Sequence, residues 1–273
     1  MNIESVVLLY FSPTNTTKKT LKSIAQGTGI ATITEIDLTP SDADLQGVVF
    51  TENQLVILGS PVYSGRIPVE AAKRFKNFKG NANPAVSVVL YGNREYEDAL
   101  LELKNMSQDM GMTPVAGAAF IGEHSFSVES TPIAVGRPDE SDLSKSRDFG
   151  KKIMDKIECF LSESKGQEGW SSLDNLTVPG NLPYKERKVM PPISPVTRED
   201  TCIKCGKCAE VCPTEAVSVD EEVTTRAEIC LRCCACVKEC PTGSRVMENP
   251  KMMEIAQWLS TNFSERKEPA IFI

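Results

Sequence analysis

Eight of the chain's ten cysteines fall into two copies of one spacing. In each copy three cysteines stand three positions apart, a fourth follows four positions later, and a proline comes directly after the fourth. The copies consist of Cys202, Cys205, Cys208 and Cys212, and of Cys230, Cys233, Cys236 and Cys240. Thiolates are soft anionic ligands, and a tight loop with a cysteine at every third position can aim three of them at one small inorganic body. The spacing therefore predicts iron–sulfur chemistry.

This arrangement resembles the cluster-binding signature of bacterial two-cluster ferredoxins, in which the fourth ligand of each cluster comes from the other copy of the motif. The resemblance implies two 4Fe-4S clusters with exchanged ligands. One is expected to be bound by Cys202, Cys205, Cys208 and Cys240, and the other by Cys230, Cys233, Cys236 and Cys212. Cys234 is expected to be a small residue beside the second cluster, with a redox-active thiol as the alternative, and Cys159 is expected in the core.

Structural zinc and a disulfide framework are the alternatives for so many cysteines. Zinc sites usually draw pairs of ligands from two separate knuckles, often with histidine, whereas His124 is the sole histidine here. Disulfides suit small secreted domains, and the apolar run 6–11 is short and lacks the basic flank of a signal peptide. The iron–sulfur interpretation is therefore favoured, and ligand cysteines of this kind predict a reducing cytoplasm.

Length and charge limit the remaining function classes. With 273 residues and 41% hydrophobic content the chain can bury a core, and the cysteine motifs occupy only a small part of it, so a further domain is expected. A formal net charge of -7 argues against general nucleic-acid binding. No apolar run reaches the length of a membrane span.

The first part of the chain alternates apolar runs with helical patterns, and near-continuous apolar runs are typical of buried parallel strands. The predicted strands are 6–11, 31–36, 55–59, 85–91 and 115–121. The predicted helices are 17–26, 69–78, 95–110 and 143–161. This alternation predicts an α/β fold with a flavodoxin-like, doubly wound, five-stranded parallel sheet, in which ligands bind beyond the carboxyl ends of the strands. The cysteine motifs are expected to form a separate, small α+β ferredoxin domain.

Three loops follow predicted strands one, three and four at that edge. Their candidate binding residues are Ser12, Thr14, Asn15, Thr16 and Thr17, then Pro61, Val62, Tyr63, Ser64, Gly65 and Arg66, then Tyr91, Gly92, Asn93, Arg94 and Tyr96. Hydroxyls and amides at a helix N-terminus can hold a phosphate, and two tyrosines can clasp a flat ring. Simple helix capping and surface packing are the alternatives, and the three loops at one edge favour binding.

Residues 1–162 resemble a flavodoxin, and the whole chain resembles the flavodoxin–ferredoxin fusion proteins of anaerobes. The phosphate loop of flavodoxins, Thr-x-Thr-Gly-x-Thr, is matched with Asn15 in place of glycine, and asparagine tolerates the left-handed conformation. The resemblance implies noncovalent FMN flanked by Tyr63 and Tyr96. Arg66 and Arg94 replace part of the family's acidic loops, so a cation near the flavin is expected to stabilise its anionic reduced form.

The stretch 122–127 follows predicted strand five and is expected at the same edge. His124 within it has two interpretations that the sequence leaves open. It either bonds the flavin or relays a proton to it, which makes it a candidate catalytic residue, or it is a polar loop residue with a backbone partner.

Four segments are predicted: a flavodoxin-like FMN domain at 1–162, a Pro/Gly-rich linker or strap at 163–197, a two-cluster ferredoxin domain at 198–248, and a C-terminal helix and tail at 249–273. Trp170, Leu176, Leu182 and Tyr184 favour a packed strap over a mobile tether. Pro250 is expected to open an amphipathic helix, and 271–273 to pack against the protein.

Three functions fit these features. The favoured one is an electron-transfer flavoprotein that passes single electrons between the clusters and FMN and serves redox partners such as a ferredoxin or an oxidoreductase. The second is an oxidoreductase that reduces a quinone, disulfide or nicotinamide at FMN, although no dinucleotide fingerprint is present. The third is an oxygen or iron sensor, for which no effector domain is recognised. Whether the chain forms a homodimer is left open.

Overall fold

The computed structural model describes residues 2–43, 48–164, 169–187 and 191–273. The strands of its main sheet are β1 (Ser5–Tyr10), β2 (Ile33–Asp37), β3 (Gln54–Pro61), β4 (Pro84–Tyr91), β5 (Thr113–Ile121) and β10 (Ala270–Phe272). Strands β1 to β5 run parallel in the spatial order 2-1-3-4-5, which is the flavodoxin-like order. The predicted flavodoxin-like α/β class is confirmed.

The sheet has one strand more than the five predicted. In the described part of the chain β10 lies at its edge and pairs antiparallel with β5, with Ala270 opposite Ala119 and Phe272 opposite Gly117. The strand count was wrong because three residues are too few to show the alternation on which a strand assignment depends. The C-terminal tail therefore completes the sheet of the N-terminal domain.

Helices cover both faces of the sheet and create two cores. They are α1 (Thr16–Gly27), α2 (Val69–Phe75), α3 (Ala99–Asp109) and α4 (Glu140–Glu163). Successive residues of β1 face opposite sides: Val6 and Leu8 pack with α1 and α4, whereas Val7 and Leu9 pack with α2 and α3. Helix α4 begins at a capping box in which Asp139 accepts a 3.0 Å hydrogen bond from Asp142 N.

The strap contributes to both cores. Trp170, in a 3-10 turn at Trp170–Leu173, is buried beside α4, and its Nε1 donates a 2.8 Å hydrogen bond to Glu52 O. Leu176 packs into the core on the opposite face. Leu182 is 69% exposed, so its predicted role as an apolar anchor was wrong. Positions 165–168 and 188–190 of the predicted linker lie outside the described residues.

The cysteine-rich region contains short elements. These are β6 (Val196–Thr197), α5 (Lys207–Glu210), β7 (Val217–Val219), β8 (Val223–Thr225), α6 (Ala235–Lys238) and β9 (Arg245–Val246). β6 pairs antiparallel with β9, and β7 with β8. The two motifs share their backbone conformation, since Lys204 and Arg232 have φ of 51° and 55°, and Gly206 and Cys234 have φ of 79° and 57°. This repetition accords with the internal repeat of the sequence.

Helix α7 (Pro250–Asn262) follows, with Asn249 as its N-cap. Leu259 packs with Ile133, in the segment between β5 and α4, so the helix docks on the N-terminal domain. Within the described ranges, no helix combines the length and apolarity that a membrane crossing requires.

Candidate functional site

Four cysteines line a first cavity. They are Cys202, Cys205, Cys208 and Cys240. This cavity lies near the surface, because Cys205 is exposed and the neighbouring Ile203 is 65% exposed.

The four remaining cysteines of the two motifs line a second cavity. They are Cys212, Cys230, Cys233 and Cys236. This cavity is the more enclosed one, since Cys233 and Cys236 are buried. Cys234 also lines it, in the left-handed conformation, with its thiol 3.7 Å from Arg232 O.

Each cavity thus takes three cysteines from one motif and a fourth from the other, which is the exchange implied by the ferredoxin resemblance. In the described part of the chain no three Cys, His, Asp or Glu side chains converge closely enough to hold a single metal ion. Thiols spread around a cavity fit a polynuclear cluster better than one ion, whose ligands must meet at a point about 2.3 Å from each sulfur. The assignment of the eight residues as ligands stays a prediction.

Backbone amides point at the sulfurs of the second cavity. Ala216 N lies 3.2 Å from Cys212 Sγ, and Arg232 N lies 3.4 Å from Cys230 Sγ. Such bonds stabilise thiolate ligands and help to set cluster potentials. Burial raises the pKa of the Cys233 thiol to about 12, so cluster binding must displace its proton.

Cys159 is not in the core as expected. It is exposed on α4, and its thiol lies 3.5 Å from Glu163 Oε1. The buried face of α4 carries Phe149, Ile153 and Ile157 instead. The helix was predicted correctly, and its buried face was misjudged at its last turns.

The first loop retains a polar group without a partner. Asn15, at the N-cap of α1, has φ of 62°, as the match to the flavodoxin glycine requires. Ser12 Oγ accepts a 3.0 Å hydrogen bond from Lys18 N. The Thr17 hydroxyl is buried and has no hydrogen-bond partner among the described residues. Thr14 and Thr16 are partly exposed beside it. A buried free hydroxyl at the start of a helix fits a phosphate group.

The loops after β1, β3, β4 and β5 meet at the same edge of the sheet. A Cβ built on Gly122 would lie 3.1 Å from Thr16 Cβ, and one built on Gly92 would lie 2.2 Å from His124 Cδ2. Burial raises the pKa of the Tyr63 phenol. A hydrogen bond with the side chain of Ser125 acts in the opposite direction and lowers it. The structure therefore brings the predicted loops together, and their role in binding FMN stays a prediction.

The loop after β3 reverses sharply. Ser64 and Gly65 have φ of 54° and 84°, and Tyr63 N donates a 2.8 Å hydrogen bond to Arg66 O. Val62, after Pro61 at the end of β3, donates its N–H to Leu90 O at 2.8 Å. This turn fixes the direction in which Tyr63 projects.

Both arginines of these loops are paired with carboxylates. Arg66 donates two 2.7 Å hydrogen bonds to Glu102. Its guanidinium carbon also lies over the ring of Tyr184 in the strap, 4.6 Å from the ring centroid. Arg94 pairs with Glu97. The expected cationic edge is therefore largely neutralised by acidic partners that lie outside the sequence motif.

The loop after β4 is held by the C-terminal tail. Asn93 Nδ2 donates hydrogen bonds of 2.6 Å and 2.7 Å to the carbonyl oxygens of Phe263 and Glu265. The Tyr96 ring packs on the buried ring of Tyr91 at 5.4 Å. These tail contacts were missed because nothing in the local sequence of either segment marks them.

His124 has the backbone partner that one of its two interpretations expected. Its Nδ1 accepts a 3.0 Å hydrogen bond from Phe126 N. Burial, with the charges of Lys238 and Arg94, lowers the pKa of His124 to about 4. The ring is therefore neutral near pH 7, and its role as a relay remains untested.

The second cavity lies against the N-terminal domain. Leu231, which lines this cavity, packs on the core between the sheet and α2 and α3. Lys238 binds Glu123 at 2.6 Å and donates a 2.7 Å hydrogen bond to Ser127 O. The loop after β5 and the core of the N-terminal domain are thus in contact with the second cysteine motif.

A family profile described as a 4Fe-4S binding domain matches residues 195–218, which contain the first motif. No curated protein sequence matches the chain. Among solved structures, a flavodoxin from the domain Archaea is similar at 17% identity over 56% of this chain and 99% of that one, with a TM-score of 0.41. Flavodoxin 2 of Bacillus cereus is similar at 16% identity over 56% and 99%, with a TM-score of 0.40.

Rubredoxin oxygen:oxidoreductase from the anaerobe Desulfovibrio gigas is similar at 16% identity, with a TM-score of 0.41. The match covers 59% of this chain and only 38% of that enzyme. The strand order of the sheet and the matched cysteine segment carry the classification. The chain joins a flavodoxin-like domain to a ferredoxin-type 4Fe-4S region, as the flavodoxin–ferredoxin fusion proteins do.

Proposed function

We propose that the chain is an electron-transfer flavoprotein that passes single electrons between two 4Fe-4S clusters and FMN, and so links one-electron to two-electron redox partners. Such clusters exchange single electrons, and FMN accepts one or two. The observation that carries the proposal is the packing of Leu231, which lines the second cavity, on the core of the N-terminal domain. It joins the domain that carries the predicted flavin loops to the second cavity within one chain.

The two cavities differ in the way that a directional carrier needs. The first is open at Cys205 and Ile203, and the second is enclosed beside Leu231, which packs on the N-terminal domain. Because electron transfer weakens steeply with distance, an external redox protein is expected to dock at the first cavity. The second cavity then lies between that entrance and the flavin loops.

Polar contacts hold the two parts of the chain in this order. Lys238 binds Glu123, and Arg74 Nη2 donates a 2.5 Å hydrogen bond to Pro213 O. Leu231 adds an apolar contact on the core of the N-terminal domain. A fixed arrangement supports transfer within the chain over transfer by a mobile tether.

FMN binding is supported by the phosphate loop. The Thr17 hydroxyl without a partner, the left-handed Asn15 and the position of both at the N-terminal end of α1 suit an anionic group. Arg66 and Arg94 each form an ion pair with a glutamate, so neither of them brings an unpaired positive charge to the proposed FMN site. The reducing cytoplasm is the compartment proposed for such exposed cysteine ligands.

The test begins with anaerobic purification, followed by counts of iron, sulfide and FMN. Reduction by a reduced ferredoxin is then followed by visible and EPR spectroscopy. Flavin reduction is expected to be rapid in the wild type and much slower in Cys233→Ser with its FMN retained, with Cys159→Ser as the matched control. Equal rates in the Cys233 variant, or rapid flavin reduction by NADH or NADPH alone, would overturn the proposal and favour a small-molecule oxidoreductase.

A further inference from the structure

Arg245 occupies the boundary between the two cavities. It lies in β9, is 2% exposed and lines the first cavity beside Cys208 and Cys240. Its Nη2 is 3.9 Å from the Sγ atom of Cys236, which lines the second cavity. One guanidinium group therefore borders both sets of cysteines.

The other contacts of this guanidinium group are all with neutral oxygens. Nη1 donates a 2.6 Å hydrogen bond to Thr197 Oγ1, and Nη2 donates to Thr225 Oγ1 at 2.8 Å and to Pro195 O at 3.2 Å. Nε is buried without a partner. Among the residues that the structure describes, no carboxylate forms an ion pair with Arg245.

A buried cation without a counter-charge is strongly unfavourable. The other buried arginines of the described residues each form an ion pair with a carboxylate. Arg74 pairs with Glu70, and Arg137 pairs with Asp142. The ionisable groups beside Arg245 are instead cysteines of the two motifs. The negative charge that offsets Arg245 is therefore that of these cysteines as thiolates together with the cluster that they would hold.

The internal repeat provides a comparison within the same chain. The residue that corresponds to Arg245 in the first motif is Val217, at the same distance after its motif. Val217 is buried and lines the second cavity, as Arg245 lines the first. The backbone geometry of the repeat accepts an apolar side chain at this position, so the arginine is not required by the fold.

The electrostatic effect of Arg245 extends to both cavities. Arg245 lines the first cavity together with Cys208, and its Nη2 is 3.9 Å from Cys236 Sγ. Cys208 belongs to the first set of cysteines, and Cys236 belongs to the second. A fixed cation at this place favours negative charge on either side of it.

We infer that Arg245 is a shared counter-cation for both clusters and raises the reduction potential of each, an inference that rests on the proposed function. A cluster gains negative charge when it is reduced, and a cation that cannot move away stabilises that form more than the oxidised one. Because Arg245 borders both cavities, this effect reaches the cluster in each of them.

The test uses the full chain, purified anaerobically, with Arg245→Met and Arg245→Lys. Arg226→Met is the matched control, because Arg226 is exposed in the same region and its guanidinium group donates a 2.7 Å hydrogen bond to Glu215 O. Redox titration followed by EPR gives the midpoint potential of each cluster. Arg245→Met is expected to shift both midpoints to more negative values, Arg245→Lys to shift them less, and the control to leave them unchanged.

Unchanged midpoints in an Arg245→Met protein that retains its iron would overturn the inference. If Arg245→Met loses its clusters, the charge-conserving Arg245→Lys is expected to keep them. Equal loss of iron from both variants would overturn it, since the hydrogen bonds to Thr197 and Thr225 would then explain the residue. A wild-type protein that binds no iron would instead overturn the proposed function, and the inference with it.

Discussion

The guanidinium group of Arg74 donates a 2.5 Å hydrogen bond to the carbonyl oxygen of Pro213, the residue directly after Cys212. Arg74 belongs to α2 of the N-terminal domain, and Cys212 lines the second cavity. The same side chain also donates to carbonyl oxygens that follow β2, those of Leu38, Thr39 and Pro40. One buried arginine therefore ties the sheet edge to the backbone beside the second cavity.

Replacing Arg74 by methionine is expected to lower the free energy of unfolding by about 2 to 4 kcal/mol, because buried carbonyl groups lose their charged donor. Lys73→Met is the matched control, since the Lys73 side chain on the same helix is 70% exposed. Anaerobic urea denaturation measures both variants. Equal midpoints would contradict a structural role for the contact with Pro213.

Gly150 brings α4 against α1 with no room for a side chain. A Cβ built on it would lie 2.1 Å from the carbonyl oxygen of Ile24. Gly150→Ala is expected to lower the free energy of unfolding by about 1 to 3 kcal/mol, because overpacking outweighs the gain in helix propensity. In the control Gly169→Ala the nearest atom, Ser171 Oγ, would be 3.7 Å away. Denaturation midpoints that rank the two variants in the opposite order would disprove the close packing.

The features that the sequence predicted correctly are those that depend on short, continuous stretches of the chain. The five parallel strands follow from apolar runs, and the grouping of cysteines around two cavities follows from their spacing. The start of α1 near Thr16 and the left-handed conformation of Asn15 follow from a polar loop before a helix with apolar periodicity. In each case a few consecutive residues determine the local geometry.

The features that were missed depend on pairs of residues far apart in the chain. Arg66 was expected to place a positive charge beside the flavin, and in the structure it forms an ion pair with Glu102 on α3. Strand β10 depends on the free edge of β5, and the packing of Leu231 on the N-terminal core depends on the docking of one domain on the other. No local pattern encodes such pairings, since the two partners lie far apart in the chain.

Thr17→Val separates FMN binding from folding. The Thr17 hydroxyl is buried without a partner, so its removal is expected to leave the stability of the FMN-free protein unchanged or slightly higher. FMN affinity is expected to fall about tenfold, or by ~1.4 kcal/mol, if the hydroxyl holds the phosphate. Fluorescence titration with FMN measures this.

The control for that experiment is Thr20→Val. Thr20 is also buried in α1, but its hydroxyl already bonds to Thr16 O at 3.1 Å. This variant is expected to lose stability and to keep its FMN affinity. An unchanged affinity in Thr17→Val would refute the phosphate assignment of the loop.

His124 is expected to make stability depend on pH below neutrality. Burial first, then the charges of Lys238 and Arg94, lower its pKa from 6.5 to about 4. The unfolded chain therefore binds a proton in this window that the folded chain does not, and stability falls as the pH drops from 6.5 towards 4. Between pH 7 and pH 5 the loss due to this residue is about 2 kcal/mol at most.

Urea denaturation at both pH values, for the wild type and His124→Gln, isolates that loss from the effects of the carboxylates. The stability of the wild type relative to the variant is expected to fall by this amount on acidification. In Lys238→Met the imidazole has one cation fewer beside it, so the fall is expected to be smaller. A constant difference between the wild type and His124→Gln would mean that the folded protein accepts the proton freely, with His124 exposed to solvent rather than held by Phe126 N.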